Sequence, residues 1–71
     1  MKDPGRYEIC VEGVLDQRWS SWFGGLRITS RPGGVTVITG LVPDQVALHG
    51  LLIKVRDLNL PLISVRRLES G

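Results

Sequence analysis

Three features of the sequence predict an α+β domain of order β-α-β-β-α-β. Residues 7–15, YEICVEGVL, alternate apolar and polar positions. Residues 26–39 hold two β-rich runs joined by Pro32-Gly33-Gly34. Residues 43–58 carry an apolar stripe of helical period, followed by a stop signal and a last β-rich run. That order is the split βαβ, or ferredoxin-like, pattern: one antiparallel sheet with two helices on one face, the first helix short. The shortness of that first helix keeps an open α+β variant as the alternative.

The elements follow in order. Residues 1–6 read as a flexible leader and residues 7–69 as a single domain. In the first strand Tyr7, Ile9 and Val11 face one side, and Glu8, Cys10 and Glu12 the other. Asp16 is an N-cap type that would start a helix of about two turns over Gln17–Phe23. Trp19, Trp22 and Phe23 then share one stripe at i, i+3 and i+4. Gly24 or Gly25 supplies the left-handed exit. In the next strand Leu26 and Ile28 point inward, Arg27 and Thr29 outward. Pro32 fixes φ and the following glycines supply positive φ, which makes a hairpin turn.

The second helix takes Pro43 in its first turn and Asp44 at the positive end of its dipole. Ala47, Leu48, Leu51, Leu52, Val55 and Leu58 form its apolar stripe, with His49, Lys54, Arg56 and Asp57 largely off it. Ile53 is apolar yet lies beside His49 and Arg56. Gly50 in mid-helix costs about 1 kcal/mol relative to alanine, so a close neighbour, such as the sheet, is expected there. Asn59 fits a left-handed cap and Pro61 forbids continuation.

Seventy-one residues make a small core, for which subunit association is the remaining staple. Cys10 is the only cysteine and His49 the only histidine, so an internal disulfide is excluded and a metal site is short of ligands. No apolar run reaches the ~20 residues that span a bilayer, and no secretion signal is visible. Together with the unpaired cysteine this points to the cytoplasm. The net charge is +2, with seven arginines against two lysines.

No catalytic constellation, Walker A or GxGxxG motif appears, which leans the reading away from an enzyme. No cofactor is implied. Counting parity, Cys10, Val14 and Ile38 fall opposite Ile9, Val11 and Val37, so the helix-free face of the sheet carries apolar groups. Glu8, Glu12, Thr36 and the strand arginines then form its polar rim. That face is the expected interface of a homodimer or higher oligomer. A second candidate, a pocket or interface, groups Trp19, Trp22, Phe23, His49, Ile53 and Arg56, although the simplest role for the aromatic trio is to plug the core. Nucleic-acid binding is disfavoured, because the only strand aromatic is Tyr7.

The segments LDQRWSSWFGGLRI and DQVALHGLLIKVRDLNLPLISVRRL resemble an uncharacterised family of small bacterial proteins with WSxWF–GL and DQxALHGLLxKxRDLxLPLxSV segments. The resemblance spans about residues 7–68 and implies no activity, cofactor or catalytic residue. Glycine would be expected from it where Asn59 stands. The expected function is a non-enzymatic, homo-oligomeric interaction module, with a small-ligand or sensor domain built on the aromatic pocket as the alternative.

Overall fold

The computed structural model describes residues 4–68. Strand β1 (Gly5–Glu12) is followed by a single 3-10 turn (Gln17–Ser20), then β2 (Arg27–Arg31), β3 (Val35–Val42), helix α1 (Gln45–Asp57) and β4 (Leu62–Leu68). The strands form one sheet in the order β2-β3-β1-β4, with every neighbouring pair antiparallel. The domain is α+β, but it has one α-helix rather than two. This corrects the expected ferredoxin-like β-α-β-β-α-β pattern.

The reason lies in residues 16–25. Asp16 does cap, accepting from the Arg18 amide at 2.9 Å. The helix it starts has no length to repay its nucleus. Ser20 instead turns its hydroxyl onto the Leu26 carbonyl at 2.7 Å, the kind of local bond that competes with helix. The Ser20 carbonyl accepts from both Phe23 and Gly25. Gly24 and Gly25, at φ 73 and 85, then reverse the chain into β2.

Two residues expected in the leader, Gly5 and Arg6, lie in a strand. Residues 1–3 lie outside the described residues, as do 69–71. Gly5 and Arg6 already belong to β1, pairing with Val42 and Leu41 of β3.

The core sits between the sheet and α1. Ile9, Ile38 and Ile28 stand side by side in register across β1, β3 and β2, and all three are buried. Tyr7, Val11, Leu15, Phe23 and Val42 extend this layer, and Leu48 and Val55 meet it from the helix. Thr36 is a buried polar residue on the same face. Its hydroxyl donates to the Gly13 carbonyl at 2.6 Å and accepts from the Leu15 amide at 3.2 Å, which fixes the loop after β1. Thr36 is therefore not part of an exposed polar rim.

Helix α1 begins at Gln45, so Pro43, expected in its first turn, instead precedes the cap and lies outside the helix. Asp44 lies outside the helix as its cap and accepts from the Ala47 amide at 2.9 Å. At the other end Asn59 has φ 62. The Asn59 amide bonds to the Arg56 carbonyl and the Leu60 amide to the Val55 carbonyl, the paired bonds of a Schellman closure. Gly50 has open space where a Cβ would stand. The close neighbour expected there is absent, because Gly50 lies away from the face that carries Leu48 and Val55.

Candidate functional site

The structure disperses the six residues grouped as an aromatic pocket. Phe23 is buried in the core. Trp19 packs against the core edge and meets Trp22 edge-on, with ring centroids 6.4 Å apart at 87°. Trp22 is 40% exposed. Lys54 of α1 donates to the Trp22 carbonyl at 2.9 Å and places its ammonium 5.3 Å from the ring centroid, within cation–π range. Trp19, Trp22 and Arg18 border a hollow of about 360 Å³. His49, Ile53 and Arg56 stand together on the exposed outer side of α1 and reach neither that hollow nor the core. The helical stripe failed here because the segment is not an α-helix: Phe23 turns inward and Trp22 outward.

The sheet-face trio is also divided. Ile38 pairs with Ile9 and is fully buried in the core. Val14 lies beyond β1 in a loop and is 74% exposed. Only Cys10 stays on the helix-free face, beside Val37 in register. The antiparallel register sets parity across β3, and it puts Val37, not Ile38, on the outside.

That face is more charged than apolar, although Val35, Leu41 and Leu68 share it. The residues sharing it include Arg6, Glu8 and Glu12 of β1, Arg27 and Arg31 of β2, and Arg66 of β4. Glu8 bridges three strands, meeting Arg31 at 3.5 Å and Arg66 at 3.6 Å. Cys10 and Val37 are nonetheless buried, because the long arginine stems and the glutamate lie across them, covering apolar surface while their charges meet. Tyr7 points to the opposite face, where its hydroxyl accepts from Gln45 at 3.2 Å. Among the described residues no aromatic ring stands on the open face.

Arg6 and Arg27 differ from the other two arginines. No carboxylate among the described residues pairs with either. Arg6 is in register with Leu41 and Arg27 with Thr39, so they flank β3 from opposite sides at successive outward positions. Between them and the glycine turn lies a hollow of about 530 Å³, lined also by Gly24, Gly25 and Gly40. A volume of this size suits a small molecule. The amides of Gly24 and Gly25 are occupied by the turn, donating to Ser21 at 3.2 Å and Ser20 at 2.8 Å. The donors left to a ligand are the two guanidinium groups and the Thr39 hydroxyl.

Gly40 shapes the wall. A Cβ there would meet the end of the Leu26 side chain, so glycine lets Leu26 lie against β3 without shifting. Past Leu26 and Leu41 the hollow gives onto a smaller apolar cleft of about 140 Å³ that runs between the end of β3 and α1.

The family described as Domain of unknown function (DUF8691) matches residues 6–66. The chain belongs to that family. No curated protein and no solved structure matches it. The DUF8691 span begins at Arg6, on the rim of the hollow, and ends at Arg66, on Glu8. The whole charged face thus falls within it.

The DUF8691 domain shows no group of three or more metal-ligating side chains among the described residues, and no described helix is long and apolar enough to cross a membrane. One marked electrostatic feature lies beside the tryptophans. Arg18 holds Asp16 at 3.0 Å, so hydrogen bonding from its side chain lowers the carboxyl pKa below the ordinary 3.8. The same bond raises the pKa of Arg18.

Sequence reasoning missed Arg6, Thr39, Gly40 and Leu41. Arg6 reads as part of the leader. The other three become a site only through their register with Arg6 and Arg27. The available signal was the outward alternation of Arg27, Thr29 and Arg31 with no carboxylate among them.

Proposed function

We propose that this domain is a binding module that holds a small anionic ligand on its open sheet face. The observation that carries this reading is the pair Arg6 and Arg27, without carboxylate partners among the described residues, beside a hollow of about 530 Å³. Guanidinium groups offer planar, bidentate donors matched to carboxylate or phosphate. The nearest acidic group on that face, Glu8, is already engaged by Arg31 and Arg66. The ligand-binding role expected of the aromatic cluster is thereby moved to the arginine hollow.

An NMR titration with sodium acetate and with inorganic phosphate at low ionic strength tests the reading. The expected result is a saturable shift of the Thr39, Gly40 and Leu41 amides and of the Arg6 and Arg27 side-chain N–H signals. It should disappear in the Arg6→Gln/Arg27→Gln variant. Signals unmoved by both anions at tens of millimolar would refute it.

A second reading, self-association, draws on a different feature. Strand β4 is a sheet edge, and Leu62 and Ile63 on it are 49% and 50% exposed. An open edge of this kind can pair with a second copy. The helix-free face is less suited to a symmetric contact, since four arginines against two glutamates would meet their own copies. Light scattering at several hundred micromolar should give a dimer mass that reverts to monomer with Ile63→Lys. A monomer mass for the unmodified chain would remove this reading.

A further inference from the structure

We infer that the ligand of the hollow is amphipathic: a carboxylate or phosphate head between Arg6 and Arg27, joined to an apolar group of about four or five carbon atoms seated in the cleft beside α1. This rests on the anion reading above. The two spaces share three lining residues, Gly24, Leu26 and Leu41, so they adjoin and one molecule is long enough to reach from one into the other. The remaining walls of the cleft are wholly apolar: Phe23, Val42 and Pro43 on one side, Ala47 and Leu51 of α1 on the other.

Size sets the apolar group. A cleft of about 140 Å³ holds four or five atoms at the ~30 Å³ share of a water molecule. That matches a butyl, pentyl or five-membered ring and is too small to enclose a purine. Ala47 makes the room, being the small residue among Leu48, Leu51 and Leu52 on the inward side of the helix. Phe23 and Val42 are each 1% exposed, so the floor is packed core rather than mobile surface. Leu41 stands at the junction and is 63% exposed. A bare anion would leave both Leu41 and the cleft against water. A short apolar tail would cover them while its head meets the two arginines.

The test is a chain-length series on the intact chain: acetate, butyrate, hexanoate and decanoate, with inorganic phosphate against butyl phosphate to distinguish the head. Dissociation constants come from NMR titration. Affinity should rise about fourfold per methylene as far as hexanoate and then level off. Butyl phosphate should exceed phosphate if the head is a phosphate, and only the carboxylates should show the gain if it is a carboxylate. Ala47→Leu should fill the cleft, flattening the series while acetate and phosphate still bind. Acetate or phosphate binding with no dependence on length overturns the amphipathic ligand and leaves the anion reading standing. A gain that continues unabated to decanoate, or that survives in Ala47→Leu, also overturns it. Failure of every anion to bind removes both. Length-dependent binding that persists in Arg6→Gln/Arg27→Gln would show an apolar site without a charged head and likewise overturn it.

Discussion

Arg31 reaches Glu8 across the full width of β3, their charged atoms 3.5 Å apart. In register Arg31 lies opposite Val35 and Glu8 opposite Thr39, so the line between them passes over Val37. That is why Val37 is 3% exposed on a face that no helix covers. The Glu8 side chain is only 14% exposed, so this pair is screened less than an ordinary surface pair. Arg31→Ala and Glu8→Gln should each lower stability by about 1 kcal/mol, a fall of roughly 4–8 °C in Tm for a domain of this size. The double variant should lose less than the sum, because each change removes the same pair. Thermal unfolding of the four proteins measures this; strict additivity would show that the ion pair does not hold the lid over Val37.

The two aromatic residues at 22 and 23 are adjacent in sequence and opposite in environment. Phe23 is 1% exposed and Trp22 is 40% exposed. Phe23→Ala removes a ring from a packed site and should cost about 3–5 kcal/mol, most of the stability such a small domain has. Trp22→Ala loses an edge-on ring contact and a cation–π contact at the surface, worth about 1 kcal/mol together. Urea unfolding should therefore find the first variant near or past unfolding in buffer and the second folded. Equal losses would mean that Trp22 is packed as deeply as Phe23.

What the sequence made legible follows the range of the interactions involved. The alternation of Tyr7, Ile9 and Val11, the turn at Pro32-Gly33-Gly34, the carboxylate of Asp44 at the start of α1 and the Asn59 closure are set by residues a few positions apart, and all are present. The first helix is absent although its sequence suggests one, because capping by Asp16 and a stripe of three aromatics say nothing about Ser20 bonding to Leu26. The face of Ile38 depends on pairing with Ile9 at 29 residues' remove, and alternation fixes only relative parity within one strand. The site was hidden for the same reason. Arg6 and Arg27 meet one hollow because both pair with β3, a relation that no local pattern records.

Gly50 is a weakness in α1 that nothing nearby requires. No side chain, and no backbone outside the surrounding turns of α1, stands within 4 Å of the position a Cβ would take, and its φ is not in the left-handed range. Gly50→Ala should therefore stabilise the domain by up to about 1 kcal/mol, through helix propensity and a less flexible unfolded chain. The Tm should rise by roughly 4–8 °C, and ligand binding in the hollow should be unchanged. A fall in Tm would mean that a neighbour approaches Gly50 after all.

The last prediction concerns acid. Asp16 has a lowered pKa because the Arg18 side chain, and then the Arg18 amide, donate to its charged form. A folded-state pKa below the unfolded one means that the native protein binds fewer protons. The stability this pair contributes is present above the unfolded value of about 3.9 and is lost as pH falls through the folded value. An NMR titration of the Asp16 carboxyl carbon should give a midpoint below 3.8, and Arg18→Ala should move it back toward that ordinary value. The stability difference between wild type and Arg18→Ala should be constant from pH 7 to pH 5 and shrink steadily below pH 4. Because the pair is exposed, added salt should narrow the difference as well. A midpoint at or above 3.8 in the unmodified chain would mean that Arg18 does not hold Asp16 in solution, and the start of the 3-10 turn would then rest on the backbone alone.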